Sequence, residues 1–176
     1  MEEKSYKEYL KNITTFVFDV DGVLTDGSIT ITTQGELLRT MNIRDGYALK
    51  TAVDQGFNIC VISGGNNEGL RLRLKGLGIT NIYLGVQHKT DALKEYLELY
   101  DIDPKNVLYM GDDIPDLYPM QLVGLSCCPQ DATSEIKAIS KYISHKNGGQ
   151  GCVRDIVEQV LKVHGKWSQD ANAQLD

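Results

Sequence analysis

The stretch Phe16-Val17-Phe18-Asp19-Val20-Asp21-Gly22-Val23-Leu24-Thr25 decides how the chain is read. Three large apolar residues in a row predict a strand buried on both faces, and two carboxylates two positions apart follow it directly. A continuing strand would point Asp19 and Asp21 to one face, and Gly22 lets the backbone turn at once. Similar short apolar runs recur, several of them ending at glycine. Ile59–Ile62 precedes Ser63-Gly64-Gly65, Ile82–Leu84 precedes Gly85, and Val107–Met110 precedes Gly111-Asp112-Asp113. Val123–Ser126 predicts a fifth strand and Tyr142-Ile143 a short sixth. Helical spacing lies between them: Tyr47, Leu49, Ala52 and Val53; Leu70, Leu74 and Leu77; Ala92, Leu93, Tyr96, Leu97 and Tyr100; and Val153, Ile156, Val157, Val160 and Leu161. Continuous apolar strands alternating with helices predict an α/β fold, a Rossmann-like parallel sheet with helices on both faces.

One segment departs from this rhythm. Ile29-Thr30-Ile31-Thr32 alternates, Gln34-Gly35 can turn the chain, and Leu37, Arg39, Met41 and Ile43 return with period two. A projecting β-hairpin over about 28–43 is the expectation. It exposes apolar positions that one subunit does not easily bury. The polar, aperiodic residues 168–176 predict a loose tail. The 176 residues suit a single domain, 1–176. No apolar run exceeds four residues, which argues against a membrane partner. The charged N-terminus argues against secretion, and the cytoplasm is the expected location. With 18 Lys and Arg against 24 Asp and Glu, the net charge of −6 disfavours nucleic acid. Cys60, Cys127, Cys128 and Cys152 form no CxxC pair and read as reduced, packed thiols.

In open α/β sheets, ligands bind beyond the carboxyl ends of the strands, which is where these polar residues fall. A carboxylate beside a phosphate repels it. With a hard cation such as Mg²⁺ between them, Asp19 can instead attack phosphorus. Asp21 can then protonate the leaving oxygen and afterwards activate water. Asp19, Asp112 and the main-chain carbonyl of Asp21 would offer three oxygen ligands, leaving octahedral positions for phosphate and water. Asp113 and Asp116 could hold the metal's waters, orient Lys89 or cap a helix. The turn Ser63-Gly64-Gly65 offers a hydroxyl and free N–H groups to phosphate, ahead of a helix that Asn66 or Asn67 could cap. Lys89 supplies a point charge. Singly, each has an ordinary reading: Asp-x-Asp-Gly as a surface turn, Ser-Gly-Gly as a loop, Lys89 as a solvated lysine. Their common position at strand ends favours chemistry.

Asp19-x-Asp21, Ser63, Lys89 and Gly111-Asp112-Asp113-x-x-Asp116 resemble the four motifs of the haloacid dehalogenase superfamily of phosphotransferases, in order and in strand position. The resemblance spans nearly the whole chain. It implies an aspartyl-phosphate intermediate on Asp19, Mg²⁺ held by Asp19, Asp21 and Asp112, and Ser63 and Lys89 holding the phosphoryl oxygens. Ser63 follows Asp21 by 42 positions and Asp112 follows Lys89 by 23, which leaves no room for a cap domain. A capless member covers its site by other means, of which another subunit is the natural one.

Asp19–Gly27, Asn42–Tyr47, Gly111–Asp113 and Gly148–Arg154 narrow the resemblance to capless phosphatases of phosphorylated eight-carbon keto-deoxy sugar acids, on the route to the acidic sugar of bacterial lipopolysaccharide. That likeness implies a homotetramer whose hairpins assemble and whose neighbouring chains complete each site. It also implies contacts to a sugar-acid phosphate from Asp21, Asn42, Ile43, Arg44, Asp45, Gly46, Lys50, Gly65, Arg73 and Lys89. Arg44, Lys50 and Arg73 suit a substrate that carries both a carboxylate and a phosphate. Many members carry arginine where this chain has Gly65 and Gln150, so a nine-carbon keto-acid phosphate is a competing substrate. A phosphomutase shares the aspartate pair but usually needs a closing cap. A phospho-accepting receiver module shares the acidic strand ends and a lysine, but would leave Asp21 without a job.

Overall fold

The computed structural model describes residues 5–167, so the tail expected at 168–176 lies outside the described residues. After a short helix α1 (Lys7–Leu10), the chain runs β1 (Thr15–Phe18), β2 (Thr30–Ile31), β3 (Leu37–Leu38), α2 (Ile43–Asp54), β4 (Asn58–Ile62), α3 (Glu68–Gly76), β5 (Asn81–Tyr83) and α4 (Lys89–Leu99). It continues through β6 (Val107–Met110), α5 (Leu117–Leu122), β7 (Leu125–Cys128), α6 (Ser134–Ile139), β8 (Tyr142–Ile143) and α7 (Cys152–Val163). Six strands form one parallel sheet in the order β5-β4-β1-β6-β7-β8.

Period two along the strands sorts side chains onto the two faces. Phe16, Phe18, Ile59, Val61, Leu108 and Met110 face one core, with α2, α3 and α7 packed over them. Val17, Cys60, Ile62, Val107 and Tyr109 face the other, under α4, α5 and α6. Covered on both sides, β1, β6 and β7 are buried along their whole length. This is the physical reason that Phe16–Phe18 and Val107–Met110 read as unbroken apolar runs rather than alternating ones. All four cysteines are free and buried in these layers. No helix among the described residues is long and apolar enough to cross a membrane.

β1 lies between β4 and β6, with Phe18 opposite both Val61 and Met110. The residues after these three strands, Asp19, Ser63 and Gly111-Asp112, therefore emerge side by side. Between β1 and β4 the chain holds only the hairpin and α2, and between β5 and β6 only α4 and a 3₁₀ turn. No cap domain is inserted at either place.

Three expectations shift in detail. The third strand closes at Tyr83 rather than Leu84. The fifth begins at Leu125 rather than Val123, because the Gly124 N–H donates to Pro104 O (2.8 Å) instead of joining the ladder. The hairpin's return arm is shorter than its period-two pattern suggested: only Thr30–Ile31 pairs with Leu37–Leu38. Asn42 ends the extended run by accepting the Arg44 and Asp45 N–H groups, so Ile43 opens α2 instead of continuing a strand. Ile29, Ile31, Leu37 and Leu38 remain 44–70% exposed.

Candidate active site

The loop after β1 folds back on itself. The N–H groups of Val23, Leu24 and Thr25 all donate to Val20 O, at 2.9–3.2 Å. The turn needs Gly22 twice over. Its φ is +87°, and a Cβ there would lie 1.9 Å from Asp112 Oδ2. The backbone thereby approaches Asp112 as no other residue would allow.

Around this turn lies a cavity of about 420 Å³ lined by Asp19, Asp21, Ser63, Gly64, Gly65, Lys89, Asp112, Asp113 and Asp116, together with Gly27, Val86, Gln87 and Pro115. Lys89, first residue of α4, is 7% exposed and points its Nζ at Asp19 Oδ1 and Asp116 Oδ1, 2.8 Å from each. Asp116 is wholly buried and fully engaged. Its Oδ1 accepts from Lys89 and from the Tyr109 hydroxyl (2.9 Å), and its Oδ2 accepts from the Asp112 N–H (3.2 Å). Of the three roles open to it, Asp116 is placed for that of orienting Lys89. Asp113 instead caps the following 3₁₀ turn through the Ile114 N–H. The Ser63 hydroxyl, 2% exposed, accepts from the Gly65 N–H, and Asn67 caps α3.

Carboxylate atoms of Asp19, Asp112 and Asp116 lie within 4.8 Å of one another. Burial, then the charge of Asp116, pushes Asp19 up to about 8 and Asp112 up to about 7, only partly opposed by Lys89. Burial also opposes the charge on Lys89, but Asp19 and Asp116 outweigh it and hold the ammonium protonated. Such a group of crowded oxygens calls for more positive charge than one lysine supplies. The donors are all hard oxygens, which matches Mg²⁺. With both Asp116 oxygens engaged elsewhere, Asp19 and Asp112 are the carboxylates available to hold it, beside the turn that carries the Asp21 carbonyl.

The remaining expected residues are placed elsewhere in the single chain. Asn42 caps α2 and donates to Gly149 O (3.2 Å), and Asp45 accepts from the N–H groups of Gly151 (3.3 Å) and Arg154 (2.7 Å). Burial raises Asp45 above the usual carboxylate range, against the pull of those N–H donors. Gly46 makes room for Arg73, whose Nη2 would lie 2.7 Å from a Cβ. Ile43 is exposed, and Lys50 pairs with Asp54. Arg44 and Gln150 line a different groove of about 510 Å³, and Arg73 a third of about 330 Å³ beneath the hairpin.

One contact was not anticipated. Arg39, on the strand-exit side of the hairpin, grips both oxygens of Asp21: Nε to Oδ1 at 2.6 Å and Nη2 to Oδ2 at 3.1 Å. Period two placed Arg39 on the hairpin, but nothing local says that the hairpin folds back over Asp21.

A parallel sheet with paired aspartates after its central strand, a hydroxyl-bearing turn, a buried lysine and an acidic loop defines a haloacid dehalogenase-like hydrolase, and the family model of that description matches residues 75–156. The 3-deoxy-D-manno-octulosonate 8-phosphate phosphatase of Salmonella typhi is 37% identical over 159 residues, 90% of this chain and 85% of that one. The solved enzyme of that name from Yersinia pestis superposes with a TM-score of 0.90 at 34% identity, covering 93% of this chain and 88% of the other. The Moraxella catarrhalis enzyme, solved with magnesium, phosphate and KDO, gives 0.87 at 32% identity, over 90% and 91% of the two chains. The chain belongs to the 3-deoxy-D-manno-octulosonate 8-phosphate phosphatase family.

Proposed function

We propose that this chain, as one domain over 1–176, hydrolyses 3-deoxy-D-manno-octulosonate 8-phosphate to the free sugar acid and phosphate, with Mg²⁺ as cofactor. The observation that carries the reading is the convergence of Asp19, Asp112 and Lys89 on one small buried volume at the end of β1. The matching relatives act, by name, on this phosphate ester.

Asp19 attacks phosphorus, forming its acyl phosphate as the bond to the sugar oxygen breaks, and Asp21 gives that oxygen a proton. A water then attacks the same phosphorus, Asp21 takes the water's proton, and the Asp19–phosphorus bond breaks to release phosphate. Ser63, the N–H groups of its turn and Lys89 hold the phosphoryl oxygens as charge shifts among them. Asp19, Asp112 and the Asp21 carbonyl would hold Mg²⁺, which when bound would neutralise the charge of the phosphoryl group that Asp19 attacks. Asp113 and Asp116 support this set from behind, Asp116 through Lys89.

Arg44, Lys50 and Arg73 lie outside the acidic cavity of one chain, yet a sugar acid needs cations for its carboxylate. The exposed apolar hairpin supports a homotetramer in which neighbouring chains complete the site, with Asn42, Ile43, Asp45 and Gly46 shaping the segment that presents Arg44. Gly65 leaves space beside the phosphate turn. Self-association through the hairpin and a cytoplasmic location complete the reading.

The test is phosphate release from eight- and nine-carbon keto-acid phosphates, with and without Mg²⁺, beside Asp19→Ala. Turnover of the eight-carbon ester that requires Mg²⁺ and vanishes in the variant is expected. Preference for a nine-carbon ester would overturn the substrate. Near-normal turnover by Asp19→Ala would overturn the mechanism. Light scattering should give four chains per particle, and an active monomer would refute the assembly.

A further inference from the structure

We propose that Arg39 is the positioning residue of the acid–base group: it holds Asp21 so that Oδ2 faces the bound phosphoryl group. The proposal rests on the phosphatase reading above and extends it to a residue outside the four motifs.

Asp21 is otherwise poorly held. Its side chain is 37% exposed, and among the described residues only Arg39 hydrogen-bonds its carboxylate. A side chain that must pass a proton at one moment and take one at the next needs its oxygen aimed at a fixed point. Arg39 is well built to aim it. Its side chain is 12% exposed, and the planar fork of the guanidinium meets both carboxylate oxygens at once. The arginine is itself anchored, since Nη1 donates to Leu37 O (3.4 Å), which also accepts from Asn67 Nδ2 (3.3 Å). Asn67 caps α3, so the hairpin, the start of α3 and Asp21 are tied together.

The direction of aim follows from Gly65. A Cβ there would stand 3.4 Å from Asp21 Oδ2, 3.6 Å from Ser63 Oγ and 3.2 Å from Arg39 Nη2. Oδ2 thus faces the turn that receives phosphate. The shorter bond, Nε to Oδ1 at 2.6 Å, fixes the carboxyl plane. A proton carried on Oδ2 requires only the longer bond, 3.1 Å, to open. Arg39 need not touch the reacting atoms to matter, and the hairpin becomes part of the catalytic apparatus of its own chain.

The experiment is a double-mutant cycle on the full chain with Mg²⁺, using the eight-carbon sugar-acid phosphate and p-nitrophenyl phosphate as probes. Arg39→Ala should lower kcat by about 10- to 10²-fold, with KM changed by less than about threefold. Arg39→Lys should recover part of the loss, because an ammonium can hold one oxygen but not both. In an Asp21→Asn background the alanine change should cost no more than about twofold. Arg39→Gln carries the same cycle should the alanine variant fail to fold. An undiminished loss in the Asp21→Asn background, a change in KM alone, or kcat close to that of the parent would each overturn the proposal. If the parent turns over only p-nitrophenyl phosphate, the sugar assignment fails and the cycle still decides the role of Arg39. A parent that releases phosphate from neither probe overturns the phosphatase reading and this proposal with it.

Discussion

Asp116→Asn keeps the shape of a buried side chain and removes its charge, and the structure says what must follow. The carboxylate accepts three hydrogen bonds: Lys89 and Tyr109 at Oδ1, and the Asp112 N–H at Oδ2. An amide has one acceptor oxygen. Placed at the Oδ1 position, it keeps Lys89 and Tyr109 but turns its NH₂ against the Asp112 N–H, donor to donor. Flipped, it presents NH₂ to an ammonium, which is worse. At least one donor loses its acceptor either way, and the bond from Lys89 loses its charge assistance. Together these cost about 2–4 kcal/mol. Part is returned, because Asp116 is one of the charges that raise Asp19 and Asp112. A net loss of about 2–3 kcal/mol corresponds to a fall in Tm of about 4–12 °C for a chain of this size. Lys89 also loses its firmer anchor, so kcat should drop by about 10- to 10²-fold while the metal ligands stay in place. Differential scanning fluorimetry and steady-state phosphate release measure both. A variant with unchanged Tm and unchanged kcat would show that Lys89 is positioned by Asp19 alone and that Asp116 contributes nothing to the fold.

Three further outcomes are expected. Gly22→Ala places a methyl where Asp112 Oδ2 now lies, at a φ of +87° that L residues rarely adopt; calorimetric titration should show Mg²⁺ affinity lowered by at least about tenfold, and unaltered affinity would contradict the close approach. Asp19 and Asp112 are raised from the ordinary 3.8 to about 8 and about 7, so the folded chain keeps protons that the unfolded chain releases. Their contribution is therefore full below about pH 4 and is lost as pH rises toward 8. Without metal, Tm should fall between pH 5 and 8, and Mg²⁺ should restore it at pH 8; a metal-free Tm that climbs across this window would refute the sign. Leu38→Glu puts a charge on the exposed hairpin strand and should dissociate the proposed tetramer to smaller species by light scattering, whereas an unchanged mass would place the interface elsewhere.

The core strands and the acidic centre were legible because their signals are local. Phe16-Val17-Phe18 and Val107–Met110 are apolar on every residue, as strands covered on both faces must be, and each is followed at once by its aspartates. Less of the hairpin was legible. Alternation continues to Ile43 in the sequence, but the Asn42 side chain diverts the backbone into α2, and a polar cap carries no periodicity. The segment Asn42–Gly46 shows a second limit. Asn and Asp suit ligand contact and helix capping equally, and the structure uses Asn42 and Asp45 to tie α2 to residues more than a hundred positions away. The short helices α1 and α6 passed unseen and α5 showed only as a possible capping site, because four to six residues are too few to show a helical period. Arg39 was visible only as a period-two position on the hairpin. Its pairing with Asp21 depends on how a hairpin settles on the sheet, which no local pattern encodes.

The ties between residues 148–154 and the first third of the chain bear on how the protein is made. Gly149 N–H donates to Val23 O (2.9 Å), and a Cβ on Gly148 would lie 1.8 Å from Gly22 O. Asp45 meanwhile holds the start of α7. The loop that follows Asp19 is thus closed by a segment the ribosome delivers more than a hundred residues later. A nascent chain can assemble β1 and α2 early, but contacts of such separation form late. Until Gly148 leaves the exit tunnel, the loop that carries Asp21 lacks this second brace, so competence for turnover waits on a segment made more than a hundred residues after it.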